Sequence, residues 1–156
     1  MNRFRSATAL ALLACCILLV PVTARADGKP TADAADAFAA KQIAQQLLNQ
    51  LGEGLASYNS RKLLAAFDRD SMPGYLAFQD QVESFFAQYE SFRVSIRLME
   101  SSFEQDKGMA TAEFRLEGIP RDGSPAMRRE AELMFEFVRT PSGWKLRDVT
   151  PRSFFS

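Results

Sequence analysis

The chain has 156 residues, 47% of them hydrophobic, with 19 basic and 19 acidic side chains and no histidine. That length is one ordinary globular domain, and the even charge balance lacks the basic footprint of a nucleic-acid-binding protein. With no histidine, and with its only cysteines at positions 15 and 16, the chain lacks the commonest zinc ligands and the commonest neutral-pH base. No cofactor motif is present, and carboxylates, lysines and tyrosines are left to do any chemistry.

Residues 1–26 read as a secretory signal peptide. Arg3 and Arg5 precede the apolar run "ATALALLACCILLVPV", and Ala24-Arg25-Ala26 supplies the small-residue cleavage pattern. The run is shorter than the roughly 20 residues of a spanning helix. Cleavage after Ala26 therefore predicts a periplasmic or secreted protein with no stable membrane span. "LLAC", ending at Cys15, has the shape of a lipoprotein site, but apolar residues continue through Val22, whereas such a cysteine normally closes the apolar region. Removing the leader takes away both cysteines and three arginines. It leaves three more acids than bases, with neither a disulfide nor a thiol nucleophile.

Residues 27–34, small and polar around Pro30, form a flexible lead-in to a domain over 35–156. In "ADAFAAKQIAQQLLNQLGEGLASY", Ala40, Ile43, Ala44, Leu47, Leu48, Leu51, Leu55 and Tyr58 recur at helical spacing, with Gly52 and Gly54 weakening the last turns. "RKLLAAF" predicts a short second helix. In "PGYLAFQDQVESFFAQY", Tyr75, Phe78, Val82, Phe85, Phe86 and Tyr89 form the stripe of a third.

The period then falls from 3.6 to 2. "FRVSIRLM", "MATAEFRLEG" and "MRREAELMFEFVRT" alternate apolar and polar residues, "PSG" makes a turn, and "WKLRDV" returns as a last strand beside the third. These elements predict an α+β fold of three N-terminal helices packed on a curved four-stranded antiparallel sheet. Every inward strand position from Phe92 to Phe137 that the alternation picks out is apolar. Asp148, which shares the parity of Trp144 and Leu146, is the nearest exception, and a bulge before Pro151 or simple fraying of the strand explains it as well as a site does.

"FDRDSMPGY" reads as the start of the third helix, with Pro73 in its first turn and Asp70 and Ser71 as caps. "DRD" lacks the glycine and distal glutamate of a calcium loop, so Asp68 is not read as a metal ligand. Tyr58, Phe67, Tyr75, Phe78, Phe86, Phe114 and Trp144 are the aromatics that would line a cavity for an apolar small molecule; dense core packing is the plainer use for them. The other sheet face carries Arg93, Arg97, Glu113, Arg115, Glu117, Glu130, Glu132, Glu136, Lys145 and Arg147, interrupted by Met99, Met134 and Val138. It is a solvated face or a docking face for a second copy or another exported protein. Phe154 and Phe155 are expected to pack back on the domain.

The order of elements, together with "GWKLRDVTPRSFF" at the end, resembles the nuclear transport factor 2-like superfamily, including its SnoaL-like and ketosteroid-isomerase-like members, over residues 35 to 155. The resemblance implies a cone in which some members hold an enzyme pocket and others only a core or a docking surface. Tyr58 matches the position of the tyrosine that the isomerases carry, but no aspartate matches as clearly. The expected function is therefore an exported non-catalytic module that binds a small molecule or another protein. The alternatives are an isomerase, cyclase or hydrolase acting on an apolar substrate in the cone, and a purely structural or dimerisation domain.

Overall fold

The computed structural model describes residues 32–156, so the leader, its cleavage site and most of the lead-in lie outside the described residues. Helix α1 spans Ala32–Ala56, α2 Ser60–Leu64 and α3 Tyr75–Gln88; strands β1 to β4 follow at Tyr89–Glu104, Lys107–Pro120, Met127–Thr140 and Gly143–Thr150, and a 3-10 turn at Arg152–Phe155 closes the chain. This is an α+β arrangement of helices followed by one antiparallel sheet in the order β1-β2-β3-β4. No described helix is long and apolar enough to cross a membrane.

The apolar stripe of α1 does what its spacing demands, since Ala44, Leu47, Leu48, Leu51 and Leu55 are all buried. The helix ends where Tyr58 enters the left-handed region at φ 50°, a position that usually takes glycine. Two backbone bonds close the end, Tyr58 N–H to the Leu55 carbonyl at 3.0 Å and Asn59 N–H to that of Gly54 at 2.8 Å. Gly54 has a second role in packing. A Cβ there would stand 2.6 Å from the backbone nitrogen of Leu63, so glycine lets α2 cross close to α1. Asn59 then caps α2, accepting from Lys62 N–H at 2.9 Å.

The second helix stops at Leu64, earlier than "RKLLAAF" predicts. The backbone of the next residues is claimed by the sheet: Leu146 N–H donates to the Ala66 carbonyl at 2.8 Å, and Asp68 N–H to that of Leu146 at 2.7 Å. Residues 66–68 thereby cover the outer edge of β4, which would otherwise present unpaired groups.

Three bulges tune the sheet. In β1 the register shifts at Glu90 and again at Met99; in β4 it shifts at Arg147, so that Leu146 pairs with Phe137 while Asp148 pairs with Glu136. The last shift places both Leu146 and Val149 in the core and turns Asp148 to the other face, as a bulge requires. The core lies between the helices and the inner sheet face. Phe78, Phe85, Phe114, Phe135, Phe137 and Phe155 are fully buried there, each contributing roughly 1.5–3 kcal/mol by its burial.

Candidate functional site

Three places could carry function: the helix-covered interior, the turn before α3, and the outer face of the sheet. The interior belongs to aromatics. Phe85 stacks on Phe92 with ring centres 5.1 Å apart, Phe67 meets Phe78 at 4.9 Å, and Phe114 meets Phe135 at 5.5 Å. The C-terminal turn completes the cluster, with Phe154 edge-on to Phe114 at 5.7 Å and Phe155 against Phe78 at 6.1 Å.

Polar latches hold that turn in place. Gln81 Nε2 donates to the Arg152 carbonyl at 2.6 Å, an Arg129 guanidinium nitrogen donates to that of Phe154 at 2.7 Å, and Arg152 pairs with Asp148 at 2.8 Å. Among the described residues no polar or charged residue is buried as a whole, although the Ser71 hydroxyl oxygen is. The guanidinium of Arg129 lies over the Phe85 ring at 5.3 Å, and Tyr58 and Tyr75 pack against the edge of the core.

The seven aromatics singled out from the sequence divide by depth. Phe67, Phe78, Phe86 and Phe114 are buried, while Tyr58, Tyr75 and Trp144 are half-buried at the perimeter of the core. Tyr75 lies under the Arg69 guanidinium at 6.0 Å, and Trp144 packs on Phe103 and Phe137. Tyr58 lies against Phe86 at 5.4 Å and Phe92 at 5.9 Å. Its hydroxyl donates to the Phe86 carbonyl and accepts from an Arg121 nitrogen at 2.9 Å, and that contact raises the Arg121 pKa further. The hydroxyl is engaged in joining α1 to the end of α3. The surface grooves among Arg93, Arg115 and Glu130, among Ser102, Phe103 and Glu136, and among Asp68, Ser71 and Arg139 are lined by none of these seven aromatics.

The turn before α3 corrects the cap reading. Gly74 is the N-cap, in the left-handed region at φ 69° and with no side-chain hydrogen bond, so Pro73 lies one residue outside the helix rather than in its first turn. Asp70 and Ser71 cap nothing there. Instead Asp68 supplies the polar anchor, accepting from Ser71 N–H at 3.0 Å while its carbonyl accepts from Met72 N–H at 3.0 Å. Ser71 Oγ is buried without a partner. Pro73 is followed by a glycine that can take the left-handed cap conformation, a signal for placing the helix start beyond it, at Tyr75.

The outer sheet face is a lattice of alternating charge. Glu113 on β2 accepts from Arg97 Nε on β1 at 2.9 Å and pairs with Arg115 at 2.7 Å; Arg115 reaches Glu130 on β3 at 3.2 Å, and Arg128 faces Glu117 at 3.6 Å. The Arg97 hydrogen bond holds the Glu113 carboxyl below the ordinary glutamate range. Between the side chains of Arg93, Arg115, Glu117, Arg128 and Glu130 runs a groove of about 420 Å³. Arg129 escaped the sequence reading, although its parity places it with Ala131 and Leu133 on the inner face; an arginine in an apolar row was its signal.

No protein-family model and no curated protein matches the sequence. Solved structures do match in shape. One, assigned as a dehydratase of the NTF2-like family from Streptomyces avermitilis, superposes with a TM-score of 0.61 at 13% identity, covering 72% of this chain and 95% of its own. This chain has the nuclear transport factor 2-like fold. A second neighbour, assigned as an aromatic ring hydroxylase from Novosphingobium aromaticivorans, has a TM-score of 0.65 at 18% identity over 72% and 87% of the two chains. A third is a type 2 hexachlorocyclohexane dehydrochlorinase, with a TM-score of 0.57 at 17% identity over 74% and 85%. At such identities the likeness is one of fold.

Proposed function

We propose that this protein is an exported, non-catalytic NTF2-like module whose cone is filled by its own side chains and whose working surface is the outer face of the sheet. The observation that carries this reading is the interior. Its rings meet one another, Phe154 and Phe155 pack among them, and no described acid or base is buried within it. Export rests on the leader-like residues 1–26. The partner class is a second copy of the chain or another exported protein, met through the Arg97–Glu113–Arg115–Glu130 lattice, where both signs of charge give register and orientation.

A second reading, an enzyme acting on an apolar substrate in the cone, draws its support from neighbours named as a dehydratase, a hydroxylase and a dehydrochlorinase. It needs Tyr58 to be free to act on a substrate, whereas that hydroxyl already serves Phe86 and Arg121.

A photo-crosslinking residue at position 115, compared with one at position 79 on α3, separates the readings in exporting cells. Crosslinks to protein from 115 alone are expected. Equal labelling from both sites, or none from 115, contradicts the outer-face reading.

A further inference from the structure

The charged lattice of the outer face gives way at one end to three exposed methionines: Met99, Met109 and Met134 have relative exposures of 47%, 48% and 40%. Their placement follows from register. Met134 on β3 is directly opposite Thr111 on β2. Met99 is the extra residue of the β1 bulge, beside Glu100, which is opposite the same threonine. Met109 is the next outward residue of β2. Three methionines on three adjacent strands therefore lie around Thr111 in register.

Surface methionine clusters serve adaptable apolar docking or the coordination of soft metals. The neighbours decide between these. An apolar patch would continue onto aliphatic or aromatic side chains, but the outward positions around these three are Ser102, Thr111, Glu100, Glu136 and Thr150. Sulfur is what the three have in common. Their backbones are within reach of one another: Met99 and Met134 flank β2 at roughly 10 Å, twice the strand spacing. Met109 lies diagonally from Met134 at about 7–8 Å. Each methionine is unbranched, and rotation about its Cα–Cβ and Cβ–Cγ bonds lets the sulfur lean over Thr111 toward the other two.

We infer that Met99, Met109 and Met134 form a thioether site for a soft monovalent cation, Cu(I), on the outer face of the sheet. Thioether sulfur is neutral and soft, so the site discriminates against zinc, magnesium and calcium, which prefer harder donors or thiolate. The Glu100 carboxylate beside Met99 adds attraction for a cation. With no histidine in the chain, and the only other described methionines buried at Met72 and half-buried at Met127, these three are the exposed soft donors among the described residues. The inference is independent of whether a protein docks on this face.

The test uses Ag(I), a redox-inert probe of the same softness, on protein carrying Cys15→Ser and Cys16→Ser so that thiols do not compete. One Ag(I) per chain is expected, with the methyl carbon signals of Met99, Met109 and Met134 shifting while those of Met72 and Met127 stay. Met99→Leu, Met109→Leu and Met134→Leu, which keep the apolar volume and remove the sulfur, are each expected to weaken binding at least tenfold. Equal affinity in the triple leucine variant, shifts at Met72 or Met127 instead, or no binding to the unsubstituted methionines would overturn the site. The NMR shifts decide the matter even if a leucine variant fails to fold.

Discussion

The side chain of Asp68 anchors the turn into α3 through a single accepted hydrogen bond, which the side chains of Asp70 and Ser71 do not supplement. Asp68→Ala is expected to cost about 0.5–2 kcal/mol, whereas Asp70→Asn should leave urea unfolding unchanged. Ser71→Ala should be neutral or stabilising, because its buried hydroxyl has no partner to lose. Tyr58 offers a sharper comparison. Tyr58→Phe keeps both ring contacts and removes the bonds to Phe86 and from Arg121, so about 0.5–1.5 kcal/mol of stability should go, with no loss of binding at the outer face. An enzyme acting through this hydroxyl would instead lose turnover with its stability nearly intact. The residue types in "FDRDSMPGY" announced a turn and a helix start. Which carboxylate anchored it depended on the chain first pairing with β4, a contact 78 residues away from Asp68 in Leu146.

At the scale of elements, the period-2 alternation identified all four strands, and the limits of β3 coincide with "MRREAELMFEFVRT". Alternation does not locate an extra residue, so the bulge at Met99 came from the structure, as did the position, Arg147, of the one raised before Pro151 and the inward reach of Val149. The C-terminal turn was legible because two adjacent phenylalanines are costly in water. What the sequence could not show was the set of latches, Gln81, Arg129 and Asp148, drawn from three separate elements. Phe155→Ala should destabilise the domain by about 3–5 kcal/mol, measured by chemical denaturation, since its ring is fully enclosed. The outer face responds to pH instead. Because the folded pKa of Glu113 is lowered, its contribution is present above the ordinary glutamate range and is lost as pH falls through the lowered value. Glu113→Gln should therefore flatten the acid side of the melting-temperature profile.

For the whole molecule, the NTF2-like fold is shared with proteins named for quite different reactions, so the contents of the interior carry the functional argument. Inward positions of the strands read as apolar in the sequence, and the structure adds that the chain's own end reaches them. Native mass spectrometry of the protein recovered from its own host tests the filled interior and the surface role most directly. The expected spectrum holds masses of the chain alone, as an integral multiple, or with a protein partner, free of any small-molecule increment. A stoichiometric small molecule that stays with the folded chain and leaves on denaturation would contradict this account.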